Sequence, residues 1–294
     1  MRRKLILLLL LFCLSISIAA EQNNAASSTA KSADTKTYVY SVVPQYPVIV
    51  LYKDWSPLLE ELEKLSGLKF KLQLAESIPE FERQLLLGKY DFAYANPFHT
   101  IVAHKSQRYL PSLRDDSRRL RGILVVRNDS TIENVEQLQN ASIAFPSPNA
   151  FAASLFMKTQ LENKENIQFQ SRYADSHTNA IRYVLLGKTE AGSVVMHTLE
   201  KQRQEAKDNL RIIYQTPKVL SHPIIIHPRV AYDVQKKFQQ AMLQISNTAK
   251  GKQLLANVNM QTPVISNYSE YKNLESLKLN YSLQIHQYQG GQPK

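Results

Sequence analysis

Apolar and polar positions in the first third of the chain follow two periods, one typical of strands and one typical of helices. Residues 55–67 carry apolar side chains at 58, 59, 62 and 65, which is one face of a helix, and Gly67 ends it. Residues 69–75 (KFKLQLA) alternate as a strand does. The predicted strands of this part are 37–45, 69–75 and 90–95, and its predicted helices are 55–67 and 78–88. The order strand, helix, strand, helix, strand indicates a parallel sheet covered by helices.

A predicted strand at 121–130 is followed, from Thr131 onwards, by a second alternating series of similar size. Its predicted strands are 141–147, 167–174, the start of 190–202, 210–217 and 222–230. Its predicted helices are 131–140, 149–163, 177–187 and the end of 190–202. A further helix is predicted after this series, at 231–247. The chain therefore crosses between two units near 121–130 and returns near 221–230, and two such crossings form a hinge. We expect lobe 1 to span 37–125 plus 228–285 and lobe 2 to span 126–227.

The two ends of the chain differ in composition from the rest. Residues 1–20 (MRRKLILLLLLFCLSISIAA) combine a basic start, a short apolar run and small residues, which predicts a secretory signal peptide cleaved near Ala19 or Ala20. A retained membrane anchor is the alternative, although the apolar run is about half of the roughly 20 residues that a spanning helix needs. Residues 21–36 and 286–294 are small and polar and predict a flexible leader and a flexible tail.

Cysteine content and charge narrow the functional classes. The single cysteine, Cys13, lies in the apolar run, so the exported protein has no disulfide and no thiolate, which fits a bacterial periplasm. The formal charge is +11, and it becomes +8 without Arg2, Arg3 and Lys4, since 33 basic and 25 acidic residues then remain. This surplus suits an anionic ligand or an anionic membrane surface, and a merely basic soluble surface is the alternative. Nucleic acid is not expected, because the basic residues are scattered and do not form one stripe with aromatics.

Three stretches resemble one known family in their order and spacing. They are LLGKYDFAYANPFHTIVA (86–103), SIAFPSPNAFAAS (142–154) and SHTNAIRYVLLGKTEAG (176–192). In that order, they are similar to a strand with a Pro turn, the start of a helix (its mouth) and a His-containing helix. The family is the type II periplasmic solute-binding proteins of ABC importers, and the branch is the one that binds phosphate, phosphite and phosphonate. The resemblance implies an α/β fold of two lobes, each a helix-flanked mixed sheet, joined by two crossover strands. It also implies that the protein binds a small ligand between the lobes and does not catalyse a reaction on it.

The helix mouth, which is the turn and the first residues of the predicted helix at 149–163, departs from the family pattern. The hydroxyls of the family's Ser-Thr-Ser fall on Ala150, Phe151 and Ala152, so several charge-assisted hydrogen bonds, each worth about 1.5–3 kcal/mol, are absent. Backbone N–H groups at the start of a helix still hold an anion, whatever the side chains are. We expect the mouth from Asn149 to Phe151 to contact the ligand, with Phe151 as an apolar wall. The alternative is that Phe151 only packs the start of the helix.

Further contacts are implied by the same resemblance. The family's His falls on His177, after a possible helix cap at Ser176, and we expect this imidazole to face the cleft and bind an oxyanion. A solvated His at a helix start is the alternative. The family's acids fall on Glu190, which is one methylene longer, and near His222.

Aromatic and polar residues also follow the predicted strands, at the end where open α/β sheets bind ligands. Tyr46 comes directly after the first strand, and YANPFH places Tyr94, Asn96 and His99 around a Pro turn. We expect all four to line the ligand site. The alternatives are a core role for Tyr94 and a surface position for His99. Trp55, the only tryptophan, is expected to start a helix and fill the core.

Neither a metal nor a cofactor is expected, and the chain is not expected to be an enzyme. His99 and His104, like His222 and His227, are five residues apart, which does not place a pair on one helical face. No nucleophile elbow, phosphate-binding glycine loop or paired-carboxylate motif is present in the sequence.

The sequence therefore predicts a monomeric, periplasmic solute-binding component of an ABC importer. Its ligand would be a small anion, either a phosphonate-like oxyanion or a related organic anion, and its closed form would be presented to an inner-membrane permease. Two alternatives remain open. One is a periplasmic sensor that presents its closed form to a membrane histidine kinase or cyclase, and the other is a structural or adhesive protein of the periplasm or cell surface.

Overall fold

The structure, a computed structural model, describes residues 36–277. The predicted signal peptide at 1–20, the leader up to residue 35 and the tail at 286–294 lie outside the described residues. The strands are β1 (Thr37–Val42), β2 (Lys69–Leu72), β3 (Phe92–Tyr94), β4 (Leu110–Asp115), β5 (Gly122–Arg127), β6 (Ser142–Phe145), β7 (Gln170–Tyr173), β8 (Ala191–Val195), β9 (Leu210–Gln215), β10 (Pro223–Ile226) and β11 (Pro263–Ile265).

Helices cover both sheets that these strands form. They are α1 (Val48–Ser66), α2 (Ile78–Leu86), α3 (Pro97–Gln107), α4 (Phe156–Asn163), α5 (His177–Leu185), α6 (Met196–Glu200), α7 (Gln204–Asp208), α8 (Tyr232–Ile245) and α9 (Ala249–Asn257). A π-helical turn, Phe151–Leu155, leads into α4, and short 3-10 helices cover Val135–Leu138, Tyr268–Glu270 and Lys272–Ser276. Within residues 36–277, no helix is both long and apolar enough to cross a membrane.

Six strands form the sheet of the first lobe, in the order β11-β4-β10-β3-β1-β2. β1 pairs in parallel with β2 and with β3, which confirms the parallel unit predicted near the start of the chain. β10 lies antiparallel between β3 and β4, and β11 is antiparallel to β4, so the sheet is mixed. The pattern analysis did not identify β4 and β11, because LPSLRD mixes a proline with charges and β11 has only three residues.

Five strands form the sheet of the second lobe, in the order β7-β6-β8-β5-β9. β6 pairs in parallel with β7 and β8, and β5 pairs antiparallel with both β8 and β9. The two lobes thus have the predicted architecture of helix-flanked mixed sheets. The predicted helix at 131–140 is reduced to one 3-10 turn, which its capping residue Asn134 starts.

Two segments connect the sheets, and they pair with each other. Leu120 and Val219 form an antiparallel bridge through two backbone hydrogen bonds of 2.9 and 3.0 Å. β5 lies wholly in the second sheet and β10 wholly in the first, so the crossings occupy 116–121 and 216–222. Both lie a few residues before the crossings expected from the sequence. The lobe limits at 125 and 228 therefore stay a prediction, and the sheet membership favours earlier ones.

An aromatic core holds the first lobe together and contains Trp55. This side chain is 2% exposed and lies in the middle of α1, which begins at Val48 and not at Trp55. The expected helix start is wrong because the run Val48–Val50 is β-branched and exposed, and resembles a strand more than a helix. Tyr40, Phe92 and Phe238 pack around the same centre.

Candidate functional site

A small cavity lies where the two lobes meet, at the carboxyl ends of β1, β3, β6 and β8. The residues that line it are Val43, Gln45, Ile78, Asn96, Ala150, Phe151, Ala152, Ala153, His177, Val195 and His222. Its volume is about 10 Å³, which is the space that one water molecule needs. This is the sheet end at which α/β folds bind ligands. Five of the predicted binding residues therefore come together here: Asn96, Ala150, Phe151, His177 and His222.

The helix mouth is a turn after β6 that widens into the π-helical turn. The N–H groups of Ser154 and Leu155 both donate to the carbonyl of Ala150, at 2.7 and 3.3 Å. The N–H groups of Phe151, Ala152 and Ala153 precede this first intrahelical bond, so the helix itself does not satisfy them. Three backbone donors thus stand at the edge of the cavity, at the positive end of the helix dipole.

Two contacts hold this mouth in place. The Ser193 hydroxyl, on β8, donates to the carbonyl of Ala153 at 2.5 Å. Gly122, where the first crossing enters β5, lies so close that an added Cβ would come within 2.1 Å of the Ala152 carbonyl oxygen. The mouth is therefore packed directly against the hinge end of the second sheet.

Phe151 packs against a neighbouring aromatic residue and also lines the cavity. Its ring stacks on Phe156 with centroids 5.8 Å apart and an interplanar angle of 2°, and it belongs to an apolar cluster with Phe98 and Ile101 of α3. It also lines the cavity. It packs the start of the helix and gives the cavity an apolar wall at the same time.

His177 begins α5 and is buried, so the alternative of a solvated helix-start residue is wrong. Ser176 caps the helix by accepting a hydrogen bond of 3.1 Å from the N–H of Asn179, and it does not line the cavity. His177 is 2% exposed, and its Nδ1 atom has no hydrogen-bond partner within the described part of the chain. Burial lowers the pKa of His177 to about 4, so the imidazole is neutral at pH 7.

His222 lies at the end of the returning crossing and stacks on Tyr94. The two ring centroids are 5.4 Å apart with an interplanar angle of 19°, and Trp55 packs on Tyr94 at 5.0 Å. Burial, with smaller contributions from the nearby His99, His177 and His197, lowers the pKa of His222 to about 3. Burial also raises the pKa of Tyr94. Tyr94 lies in the layer beneath His222, as its core alternative described, and it does not line the cavity.

Asn96 and His99 belong to a buried hydrogen-bond network at the start of α3. Asn96 caps that helix, because its Oδ1 accepts a hydrogen bond of 2.7 Å from the N–H of His99. His99 is fully buried, so its predicted alternative of a surface position is wrong. Its Nε2 lies 2.8 Å from a carboxylate oxygen of Glu82, on α2. The other oxygen of Glu82 accepts a hydrogen bond of 3.0 Å from the side-chain amide of Asn149.

Tyr46 lies at the seam between the lobes and not on the cavity wall. It contacts the second lobe through Lys201, whose ammonium lies 5.1 Å from the centroid of the Tyr46 ring. Burial raises the pKa of Tyr46 to about 12. The residue expected to touch ligand thus joins the lobes instead.

Glu190 lies away from the cavity, and this corrects its assignment as a ligand contact. The side chain is exposed and accepts hydrogen bonds from the N–H and the hydroxyl of Ser142, at the start of β6. It precedes β8, whereas Val195, at the other end of that strand, lines the cavity. These hydrogen bonds hold its pKa below the usual range. The motif match located the residue in sequence but did not show which end of the strand it occupies.

Glu82 was missed by the sequence analysis, although a signal for it exists. Ile78, Phe81 and Leu85 form the buried stripe of α2, and position 82 follows Ile78 by four residues and therefore lies on the same face. A carboxylate on an apolar helix face needs buried partners. No group of three or more His, Cys, Asp or Glu side chains suited to a metal was found among residues 36–277.

The comparisons with known proteins agree with this geometry. Residues 40–271 match the family described as ABC transporter, phosphonate, periplasmic substrate-binding protein. No match was found among the curated proteins. The solved binding protein component of an ABC phosphonate transporter from Pseudomonas aeruginosa is 15% identical with a TM-score of 0.74, over 83% of this chain and 86% of that one.

Two further solved structures share the fold. PhnD1 from Prochlorococcus marinus, in complex with methylphosphonate, is 18% identical with a TM-score of 0.74, over 83% of this chain and 97% of that one. A Xanthomonas citri protein bound to a chloride ion is 14% identical with a TM-score of 0.67, over 82% of this chain and 95% of that one. At these identities the structures establish a common two-lobed architecture.

Proposed function

The chain belongs to the family of periplasmic substrate-binding proteins of phosphonate ABC transporters, and we propose that it captures a small organic oxyanion of the phosphonate type between its two lobes. The family is periplasmic, binds a small-molecule ligand and works with an ABC permease. Family membership alone leaves the ligand of this chain open. The proposal of an organic oxyanion comes from the cavity.

One observation carries this proposal: the cavity lining supplies hydrogen-bond donors and no carboxylate among the described residues. The donors are the backbone N–H groups at the mouth, the amide of Asn96 and the imidazoles of His177 and His222. An anion accepts hydrogen bonds from all of these groups, and no acidic side chain of the lining repels it. A cationic ligand would find no partner of opposite charge in the same lining.

The ligand would change the protonation of the two imidazoles. Burial keeps His177 and His222 neutral, with pKa values lowered to about 4 and about 3. An anion within hydrogen-bond distance favours the imidazolium form and raises both pKa values. Each ring then donates from both nitrogens, which compensates in part for the hydroxyls that Ala150 and Ala152 lack.

An apolar substituent on the ligand would find partners in the same cavity. Val43, Ile78, Phe151 and Val195 supply hydrocarbon surface beside the donors. Inorganic phosphate presents oxygen in every direction and would leave one of its oxygens against this wall, where an unpaired polar group is costly. A methyl group in that place is favoured by about 0.8 kcal/mol. We therefore propose that the site prefers methylphosphonate to phosphate.

Entry of such a ligand requires the lobes to separate. A volume of about 10 Å³ holds one water molecule, so a phosphonate reaches the donors only in an opened form. The paired crossings at Leu120 and Val219 provide the axis for this motion. Closure around the ligand would create the form that the permease recognises, with the chain acting as a monomer. No observation favours the sensor alternative.

A fluorescence titration tests the proposal directly. Trp55 is the only tryptophan, and it contacts Tyr94, which stacks on the cavity residue His222. We expect methylphosphonate to change the emission of Trp55 in a saturable way, and phosphate to require a higher concentration. Methanesulfonate has a similar shape but one charge fewer, so its affinity relative to methylphosphonate shows whether ligand shape or ligand charge contributes more to binding.

Paired variants locate the binding. His177→Ala should weaken methylphosphonate at least tenfold, because it removes a hydrogen bond to a charged group. Glu190→Ala should leave the affinity within twofold, because that carboxylate contacts only Ser142 outside the cavity. The proposal fails if none of the three anions binds, or if the two variants lose affinity equally.

A further inference from the structure

A buried carboxylate lies beside the helix mouth although the cavity lining has none. Glu82 is 7% exposed, and both of its oxygens are used. One lies 2.8 Å from His99 Nε2, and the other accepts a 3.0 Å hydrogen bond from the side-chain amide of Asn149. A carboxylate buried to this degree is costly unless such partners are present. The fold therefore retains Glu82 at an energetic disadvantage that the two partners offset.

The two partners of Glu82 belong to different lobes. His99 lies on α3 of the first lobe, where its backbone N–H binds the cap residue Asn96 and its ring packs against Phe81 with the centroids 5.4 Å apart. Asn149 lies in the turn of the second lobe, two residues before Phe151 begins the π-helical turn. The hydrogen bond from Asn149 to Glu82 therefore connects α2 of one lobe to the anion-binding mouth of the other.

A second contact supports the same turn. The carbonyl oxygen of Asn149 lies 3.5 Å from the side-chain amide nitrogen of Asn96, which itself lines the cavity. The first lobe thus contacts both the side chain and the backbone of Asn149. Because Ala150 and the N–H groups that follow are covalently continuous with this residue, its position sets theirs relative to Asn96.

We propose that Glu82 is a positioning residue for ligand binding: its carboxylate, oriented by His99, binds Asn149 as the lobes close and places the helix mouth against the first-lobe side of the cavity. The proposal rests on the proposed function for the identity of the ligand. Glu82 itself does not touch the ligand. Its hydrogen bond forms only in the closed arrangement, so it favours closure and increases the apparent affinity.

An exchange of the two side-chain types tests this pair. Asn149→Asp places two carboxylates within hydrogen-bond distance, and their repulsion opposes closure. Glu82→Gln alone keeps the shape, and its amide group can still accept from Asn149 and donate to a His99 nitrogen in the other tautomer. The double variant Glu82→Gln with Asn149→Asp restores one amide and one carboxylate in exchanged positions.

Two readouts separate this proposal from the proposed function. The first is the affinity for methylphosphonate. The second is the distance between spin labels at Lys64→Cys and Glu162→Cys, which are exposed sites on α1 and α4, in a Cys13→Ser background without added anion. Glu80→Gln is the matched control, because Glu80 lies on the same helix and its carboxylate binds the half-buried Arg83 and Gln84 of that helix.

We expect Asn149→Asp to weaken methylphosphonate at least tenfold and to shift the labels towards longer distances. The double variant should return the affinity to within threefold of the wild type and restore the shorter distances, and Glu80→Gln should change neither. The proposal is overturned if Asn149→Asp behaves as the wild type, or if the double variant is as impaired as Asn149→Asp. If the wild type binds no anion, the proposed function fails, and the label distances alone still decide the role of Glu82.

Discussion

The ring of Tyr94 and the imidazole of His222 stack at 5.4 Å, so that the end of the central strand β3 supports the end of the returning crossing. Beneath Tyr94 lies Trp55, at 5.0 Å. This stack joins the aromatic core of the first lobe to one wall of the cavity. It places a buried, neutral imidazole where an anion is proposed to bind.

The first prediction concerns stability against pH. His177 and His222 have folded pKa values of about 4 and about 3, below the usual 6.5, so the unfolded chain binds more protons than the folded one between those values. Stability from these groups is fully present above pH 6.5 and is lost as the pH falls towards the folded values. We expect each histidine to cost about 2 kcal/mol of unfolding free energy between pH 7 and pH 5.

Urea unfolding at the two pH values measures this loss. The double variant His177→Gln with His222→Gln should lose much less stability over the same interval, since both titrating groups are gone. An unfolding free energy that is equal at pH 7 and pH 5 in the wild type would contradict the prediction. So would a loss that is undiminished in the double variant.

The second prediction concerns the missing hydroxyls at the mouth. Ala150→Ser and Ala152→Ser each place a hydroxyl donor beside the N–H groups that the helix itself does not satisfy, where the family pattern has a serine. We expect either variant to bind methylphosphonate about tenfold more tightly, because a hydrogen bond to a charged group is worth about 1.5–3 kcal/mol. Calorimetric titration measures the change. Unchanged or weaker binding in both would show that these positions do not face the ligand.

The third prediction concerns the seam between the lobes. Tyr46→Leu removes the aromatic ring over which Lys201 lies, and Lys201→Ala removes the cation. We expect each variant to weaken methylphosphonate by about two- to tenfold, from a loss of about 0.5–1.5 kcal/mol in the closed form.

A second cation–π pair supplies the control for that experiment. Lys236 lies 5.3 Å from the ring of Tyr232, and both belong to α8, within one lobe. Tyr232→Leu and Lys236→Ala should therefore leave the affinity unchanged. Equal losses at both pairs would mean that the seam contributes nothing specific to closure.

The fourth prediction concerns the close approach of the hinge strand to the mouth. Gly122→Ala would bring a Cβ within 2.1 Å of the Ala152 carbonyl, so the strand or the mouth has to move. We expect a loss of more than about 2 kcal/mol of stability together with weaker methylphosphonate binding. Gly67→Ala is the comparison, because Gly67 has a φ of +69° but no neighbour within 4 Å. Its cost should be only about 1 kcal/mol from the backbone, with binding unchanged.

The regular parts of the fold could be predicted from the sequence, and the irregular parts could not. The apolar stripe of α1 identifies its buried face directly, and the alternation along residues 69–75 identifies β2, whose side chains alternate between exposed and half-buried. The start of α1 could not be predicted from apolar periodicity, because Ile49 is apolar but 74% exposed in the described part of the chain. The π-helical turn at Phe151 depends on the Ser193 hydroxyl and on Gly122, which are far away in sequence.

The residues that line the cavity could be predicted where a motif match and the end of a strand coincide, and their contact with a ligand stays a prediction. His177 and the mouth at Ala150 satisfy both criteria, and both line the cavity. Glu190 satisfied only the motif, and its strand begins there instead of ending. Glu82 lies on a face that periodicity identifies as buried, but a single sequence does not show that its partner is Asn149, 67 residues later.

Binding of an oxyanion at the helix mouth between the lobes can be observed by amide NMR of the protein during a titration with methylphosphonate. We predict that the N–H resonances of Phe151, Ala152 and Ala153 shift downfield in a saturable way, as hydrogen bonds to an anion form. The same resonances should respond less to phosphate. If these three amides keep their positions while methylphosphonate is bound elsewhere, or if no resonance moves, the account is contradicted.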